Sequence, residues 1–199
     1  EKDLSLIIGK NNTGKTSILS ALDKFLSQSD KNKFSLDDFN IDFKKEIKTL
    51  IENAAETSEQ NFKQLGIKLK LFIEYTERDN LSNISRVMMD LEPTNNMIVL
   101  GFEYTLGFTN YLRIRKDFRI FETNENSKKQ ANPDYIVRNI YSFLLHHHAE
   151  YFAIVKKSFE YIPTTKLANE NNYIDLLKEE ISTKDIINFK FISAKRDVT

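Results

Sequence analysis

The 199-residue sequence predicts an α/β fold: a phosphate-binding-loop core carrying an antiparallel β insert and flanking helices. Three observations predict it. An apolar run, Leu4–Ile8, leads into Gly9-Lys10-Asn11-Asn12-Thr13-Gly14-Lys15-Thr16, a complete G-x-x-x-x-G-K-T segment, and Ile18, Leu19, Leu22, Phe25 and Leu26 follow at helical spacing. Ile67, Leu69, Leu71, Ile73 and Tyr75 alternate with Lys68, Lys70, Phe72 and Glu74, the period of a half-buried strand. A late apolar run, Ile186–Ser193, could rejoin the first strand in a parallel core.

The elements follow in order. Strand, loop and helix occupy the start, to about Gln28. After the polar link 29–33 comes Phe34-Ser35-Leu36-Asp37-Asp38-Phe39, and Lys44–Gln64 reads as a helix with Ile47, Leu50, Ile51 and Ala54 on one face. Beyond the first alternating strand, Leu81–Leu91 reads as a short helix. Met97–Leu106 and Tyr111–Phe121 read as a hairpin turned at Gly107–Asn110, so the insert is expected to lie between Ile67 and Phe121. Asn132-Pro133-Asp134 is a helix start for a segment carrying Ile136, Ile140, Phe143 and Leu144 to about His148. Phe152–Tyr161 reads as a strand, Asn171–Ser182 as a helix and Ile186–Ser193 as the last strand. The expected organisation is 1–64 for the loop and its helices, 65–125 for the insert, and 130–199 for a helical segment and the returning strand. The chain opens at Glu1 without Met, just ahead of the loop strand, and so reads as a segment of a longer protein.

Composition narrows the function. With 40% hydrophobic and 12% aromatic residues the chain can bury a core; its 29 basic and 29 acidic residues cancel, removing any global electrostatic case for nucleic acid or membrane binding. The local run Arg113-Ile114-Arg115-Lys116 reads as a solvated strand face. Cysteine is absent, which excludes disulfides and thiolate metal sites and fits a reducing cytoplasm. No apolar stretch is long enough to span a membrane.

The loop carries the chemistry. Gly9 and Gly14 let successive backbone N–H groups, those of Asn11, Asn12 and Thr13 among them, converge on phosphate oxygens, and the following helix adds its positive N-terminus. Lys15 is expected to reach the β/γ oxygens, the Thr16 hydroxyl to ligate Mg²⁺, and Ser17 to complete the site. ATP and Mg²⁺ are therefore the expected cofactors. Asp37 and Asp38 read equally as neighbours of that metal, Asp38 above all, or as a helix cap or turn. His146-His147-His148 cannot converge on one ion, since consecutive helical residues point about 100° apart, and reads as a solvated or half-buried helix end.

Gly9–Leu22 resembles the G-x-N-N-x-G-K-[ST]-x-[IL]-[IL]-x-A-[IL] signature of ABC/SMC-type ATPases that act on DNA, and most closely that of the overcoming-lysogenization-defect (OLD) family of ATP-dependent nucleases, which includes the ATPase–nuclease subunit of the Gabija anti-phage system. The Asp-Asp-Phe motif, the strand insert and the ending Phe191-Ile192-Ser193-Ala194-Lys195-Arg196-Asp197 look similar too. The resemblance implies an ABC-type core, a DNA substrate, association through ATPase heads in the full-length protein, and a Q-loop-like place for Arg196 and Asp197. Departures accompany it: an L-S-G-G-Q-like signature, a Walker B strand ending in Asp-Glu, and the nuclease (Toprim) carboxylates are all missing from this sequence, so no catalytic residue is assigned. Two alternatives stand beside it, a RecF- or SMC-like repair ATPase without a nuclease and an ATP switch that gates an effector. A GTPase reading fails for want of Asp-x-x-Gly and Asn-Lys-x-Asp.

Overall fold

The computed structural model describes residues 15–27, 33–53, 55–90, 92 and 95–190. The expected strand Leu4–Ile8, loop residues 9–14 and the segment 191–199 lie outside the described residues, so the parallel core pairing does too.

The element order is α1 (Lys15–Leu26), α2 (Ile41–Glu52), β1 (Leu65–Glu74), α3 (Leu81–Ile84), β2 (Met97–Leu106), α4 (Phe108–Ala131), α5 (Ile140–Tyr151), β3 (Phe152–Ile162) and β4 (Leu167–Asp175). The strands form one antiparallel sheet in the order β1-β2-β3-β4. β2 lies inside it, pairing from Leu65↔Leu106 to Glu74↔Met97 on one side and from Val99↔Phe159 to Leu106↔Phe152 on the other. Its position explains its composition: MIVLGFEYTL is buried along nearly its whole length, because β1 and β3 pair with both of its edges and the core covers one face.

One face of the sheet carries the core. Ile98, Leu100, Phe102, Tyr104 and Leu106 of β2 point toward the helices, each at most 6% exposed. Aromatic rings fill the interval. Phe34 stacks on Tyr104 at 4.5 Å between centroids, Phe25 tilts against Phe34 at 4.7 Å, and Phe39 stacks on Phe43 at 4.1 Å. On the opposite face, Phe159 lies across Gly101 so closely that a Cβ there would sit 2.3 Å from the ring.

Several expectations hold in place. β1 falls where the alternation predicts, β2 spans the expected run Met97–Leu106, β3 begins at Phe152, and a helix begins at Lys15. Four do not. The expected strand Tyr111–Phe121 is the middle of the 24-residue α4, whose buried residues Tyr111, Ile114, Arg115, Phe118 and Glu125 recur at three- and four-residue spacing; Gly107 caps a helix and does not turn a hairpin. The antiparallel layer consequently ends at β4 and not at Phe121. The expected helix Lys44–Gln64 is α2, which starts at an Asn40 cap (Phe43 N–H to Asn40 Oδ1, 2.6 Å) and stops at Glu52, where its buried stripe Phe43-Ile47-Ile51 runs out. Asn132-Pro133-Asp134 ends α4 and starts no helix: α5 begins at Ile140, capped by Asn139, whose side chain accepts from the Tyr141 and Ser142 amides. The expected helix Asn171–Ser182 is largely β4 and the turn after it; pairing with β3 overrides local propensity, and Lys166 (φ 57°) turns the hairpin. Residues 187–190 form no strand, and the remainder of the run Ile186–Ser193 lies outside the described residues. No described helix is long and apolar enough to cross a membrane.

Candidate functional site

α1 opens at Lys15, the residue that follows the loop's final glycine in the sequence. Thr16 and Ser17 are exposed on its first turn. Thr16, Ser20 and Lys24 recur every four residues and form one stripe, which borders a cavity of about 310 Å³ closed on the far side by Phe34, Asp37, Asp38 and Ile67. Leu22, Phe25 and Leu26 anchor the opposite side of α1 in the core.

The far wall is rigidly held. Lys24 Nζ donates to Asp38 Oδ2 (2.5 Å) and to the Lys33 carbonyl (3.3 Å), and it stands 5.7 Å over the Phe34 ring. The same Oδ2 accepts from the Ser35 amide (2.6 Å) and from Ser35 Oγ (3.2 Å), closing the short 3-10 turn Leu36–Asp38. Burial alone would raise the Asp38 pKa; the Lys24 and Ser35 hydrogen bonds and the Lys24 charge outweigh it and hold the carboxyl below its ordinary value. The Tyr104 hydroxyl beneath it is pushed up to about 12, by burial first and by the Asp38 charge second. Behind the wall, His148 of α5 is buried, with Nδ1 3.0 Å from the Leu144 carbonyl and Nε2 3.0 Å from the Phe34 carbonyl.

The expected site residues divide accordingly. Thr16, Ser17 and Asp38 border one cavity. Gly9, Asn11, Asn12, Thr13, Gly14, Arg196 and Asp197 lie outside the described residues, as does the Lys15 side chain. An exposed Thr16 hydroxyl is a hard oxygen of the kind Mg²⁺ takes. Asp38 is differently engaged: its Oδ2 already serves three donors, whereas the neighbouring Asp37 is 88% exposed at its side chain and, among the described residues, pairs with Lys44 at 3.3 Å. Ser20 and Lys24 were not singled out by the motif, although their four-residue spacing from Thr16 was the available signal. The histidine triplet splays as helical geometry requires, with His146 exposed, His147 on Glu150 (2.7 Å) and His148 in the core. Among the described residues no group of three or more His, Cys, Asp or Glu could hold a metal ion.

A complete phosphate-loop sequence feeding a helix whose first turn offers free hydroxyls, beside an α/β core, defines a nucleotide-binding ATPase domain. The whole chain, residues 1–199, matches the family described as "AAA ATPase domain", and the chain belongs to it. Its similarity then narrows to one named relative, Endonuclease GajA from Bacillus cereus (strain HuB5-5), to which it is 31% identical over 137 residues, 64% of this chain. The matched region is 19% of that protein, so this chain spans only a small part of its relative's length. No solved structure matches the chain significantly.

Proposed function

We propose that this chain is the ATP-binding N-terminal segment of an OLD-like, ATP-dependent DNA endonuclease of the cytoplasm, acting in anti-phage defence. The observation that carries the reading is the family match over the full chain, joined to the G-x-x-x-x-G-K-T sequence running into α1. The likeness to an endonuclease supports the nuclease association.

In this reading Lys15 and the backbone of Gly9–Gly14 bind the β- and γ-phosphates, Thr16 holds Mg²⁺, and Ser17 and Ser20 border the phosphates with hydroxyl donors. Bound Mg-ATP supplies the phosphoryl group whose sensing or cleavage drives the full-length protein. Lys24 orients the opposite wall through Asp38 and leaves the exposed Asp37, paired only peripherally with Lys44, as the carboxylate that faces the metal's water shell. A water-activating glutamate and a signature segment belong to the rest of the protein and to a second ATPase head, so DNA cleavage and homo-oligomer formation are properties of the whole.

Isolated, the chain is expected to bind Mg-ATP weakly, to favour adenine over guanine nucleotides modestly, and to hydrolyse almost none. Titration with a fluorescent ATP analogue, repeated on Lys15→Ala, checks this: binding should vanish in the variant. Steady-state hydrolysis far above background and abolished by Lys15→Ala, or a strong preference for GTP, would overturn the proposal.

A further inference from the structure

The 3-10 turn Leu36–Asp38 is a ridge with a cavity on either side. On one side lies the cavity of about 310 Å³ that Thr16, Ser17 and Ser20 border. On the other lies one of about 550 Å³, between the N-terminal halves of α2 and α5. Asp37 borders both, so the two adjoin. The ridge is a single turn, and three residues at about 2 Å each make it about 6 Å long.

The second cavity is largely apolar. Leu36, buried at 6% exposure, forms its floor. Tyr141 and Leu145, one helical turn apart on α5, line one wall, and Ile41 of α2 lines the other. Ile41 is 69% exposed and Leu145 55%. Aliphatic side chains scattered singly on a surface need no explanation, but these two converge with a tyrosine ring on one concavity, as the lining of a ligand pocket does. The charged residues at its border are already engaged, Lys44 with Asp37 at 3.3 Å and Lys45 with Asp42 at 3.6 Å. Ser142 adds one hydroxyl. Volume and lining suit a flat aromatic group with few polar atoms.

We propose that this cavity receives the purine base of the nucleotide whose phosphates the loop and Thr16 hold, with the ribose crossing the ridge beside Asp37. The proposal rests on the ATP-binding reading above and adds to it the place and the means of base recognition. The base packs against the Tyr141 ring, Ile41 and Leu145 and covers apolar surface that otherwise faces water. Selectivity follows from the same lining. Guanine brings more donors and acceptors than adenine into a pocket with few free partners, so more of its lost hydration goes uncompensated. The preference for adenine stays modest because the mouth, at Ile41 and Leu145, is open to solvent.

The test uses the 199-residue chain with Mg²⁺. An ATP analogue carrying a photoreactive azide on its base is activated on the chain, and the labelled residues are located by mass spectrometry. Labels should fall within residues 36–45 or 141–145 and disappear when unmodified ATP competes. In parallel, ATP and tripolyphosphate, which has the phosphates without ribose or base, are titrated into the unaltered chain and into the double variant Ile41→Ser/Leu145→Ser. Both positions are exposed, so the fold should persist. The variant should bind ATP about tenfold more weakly, the worth of the apolar contacts of two aliphatic side chains, and tripolyphosphate equally well. Labels elsewhere, or an undiminished ATP affinity in the double variant, would overturn the proposal; if Lys15→Ala then still abolishes labelling, the loop reading survives that failure. Labels in these two segments that persist in Lys15→Ala would keep the pocket and overturn the loop reading. Binding of neither ATP nor tripolyphosphate would overturn both. A changed oligomeric state of the double variant in light scattering, with ATP affinity intact, would make the groove an interface between copies of the chain and sink the base site.

Discussion

Replacing Arg115 by methionine tests how α2 is terminated. Arg115 is 2% exposed, and its guanidinium donates to the Asn53 carbonyl (2.7 Å), the Ala55 carbonyl (2.8 Å) and the Tyr111 hydroxyl (2.7 Å). The first two acceptors lie just beyond the last turn of α2, where no helical amide is left to serve them. Tyr111 also accepts from the Thr57 amide at 3.0 Å, so Arg115 and Tyr111 together hold Asn53, Ala55 and Thr57 against α4. Methionine keeps most of the apolar stem and removes every donor. Each acceptor left without its partner costs about 1 kcal/mol at the low end, appropriate to partly buried carbonyls, and lost packing adds about as much again. The expected destabilisation is about 3–4 kcal/mol, or a fall in melting temperature of roughly 6–16 °C for a chain of this length. The control is Arg113→Met. Arg113 sits two residues away, stands 4.7 Å over the Tyr151 ring and is partly solvated, so its loss should cost less than about 1 kcal/mol. Thermal melts by circular dichroism on both variants decide the matter: if Arg115→Met melts no lower than Arg113→Met, Arg115 does not anchor the end of α2.

Further outcomes follow from the same structure. Glu125 is enclosed by its own partners, accepting from Arg138 Nη (2.7 Å), Lys128 Nζ (2.9 Å), the Tyr135 hydroxyl (2.6 Å) and the Arg138 amide (3.1 Å). The Arg138 bond first, and the others after it, hold the Glu125 carboxyl far below the ordinary carboxylate range against the opposing effect of burial. A depressed carboxyl stabilises the fold above its unfolded pKa of about 4.3 and loses that contribution as pH falls toward the folded value; Glu125→Gln should therefore lower stability at neutral pH and flatten its decline in acid, and parallel acid slopes for the two proteins would refute this. Gly101→Ala should push the Phe159 ring off the sheet and lower stability by about 1–3 kcal/mol, read from urea midpoints; an unchanged midpoint would mean that the ring moves freely. Asp38→Asn should loosen the wall opposite Thr16 by weakening the Lys24 bridge, visible as faster amide exchange at Ser35, with no change expected at Ile98 or Leu100.

Sequence alone determined the parts of this protein whose physics is local. The helix α1 is legible because its apolar residues recur at helical spacing directly after the loop sequence. β1 is legible because one of its faces packs partly buried against the core, which writes a period of two into Leu65–Glu74. Tertiary structure decided the rest, in each case because a distant partner supplied what the local pattern lacked. Tyr111–Phe121 carries β-prone residues and alternating charge, so it reads as a strand; only its packing against α5, with Phe118 and Phe121 5.6 and 5.2 Å from Phe143, reveals the helical face. Arg115 reads as part of a solvated basic run, and the carbonyls that bury it come from about sixty residues earlier. Polar Asn169–Asn172 gives no strand signal, yet β3 offers an edge and β4 takes it, with Asn169 and Asn172 both donating to Glu160. Lys156 is one of two adjacent lysines in the sequence: the pleat sends Lys157 to the open face and an ion pair with Glu103 at 3.2 Å, and turns Lys156 inward to a cavity that only the folded chain creates.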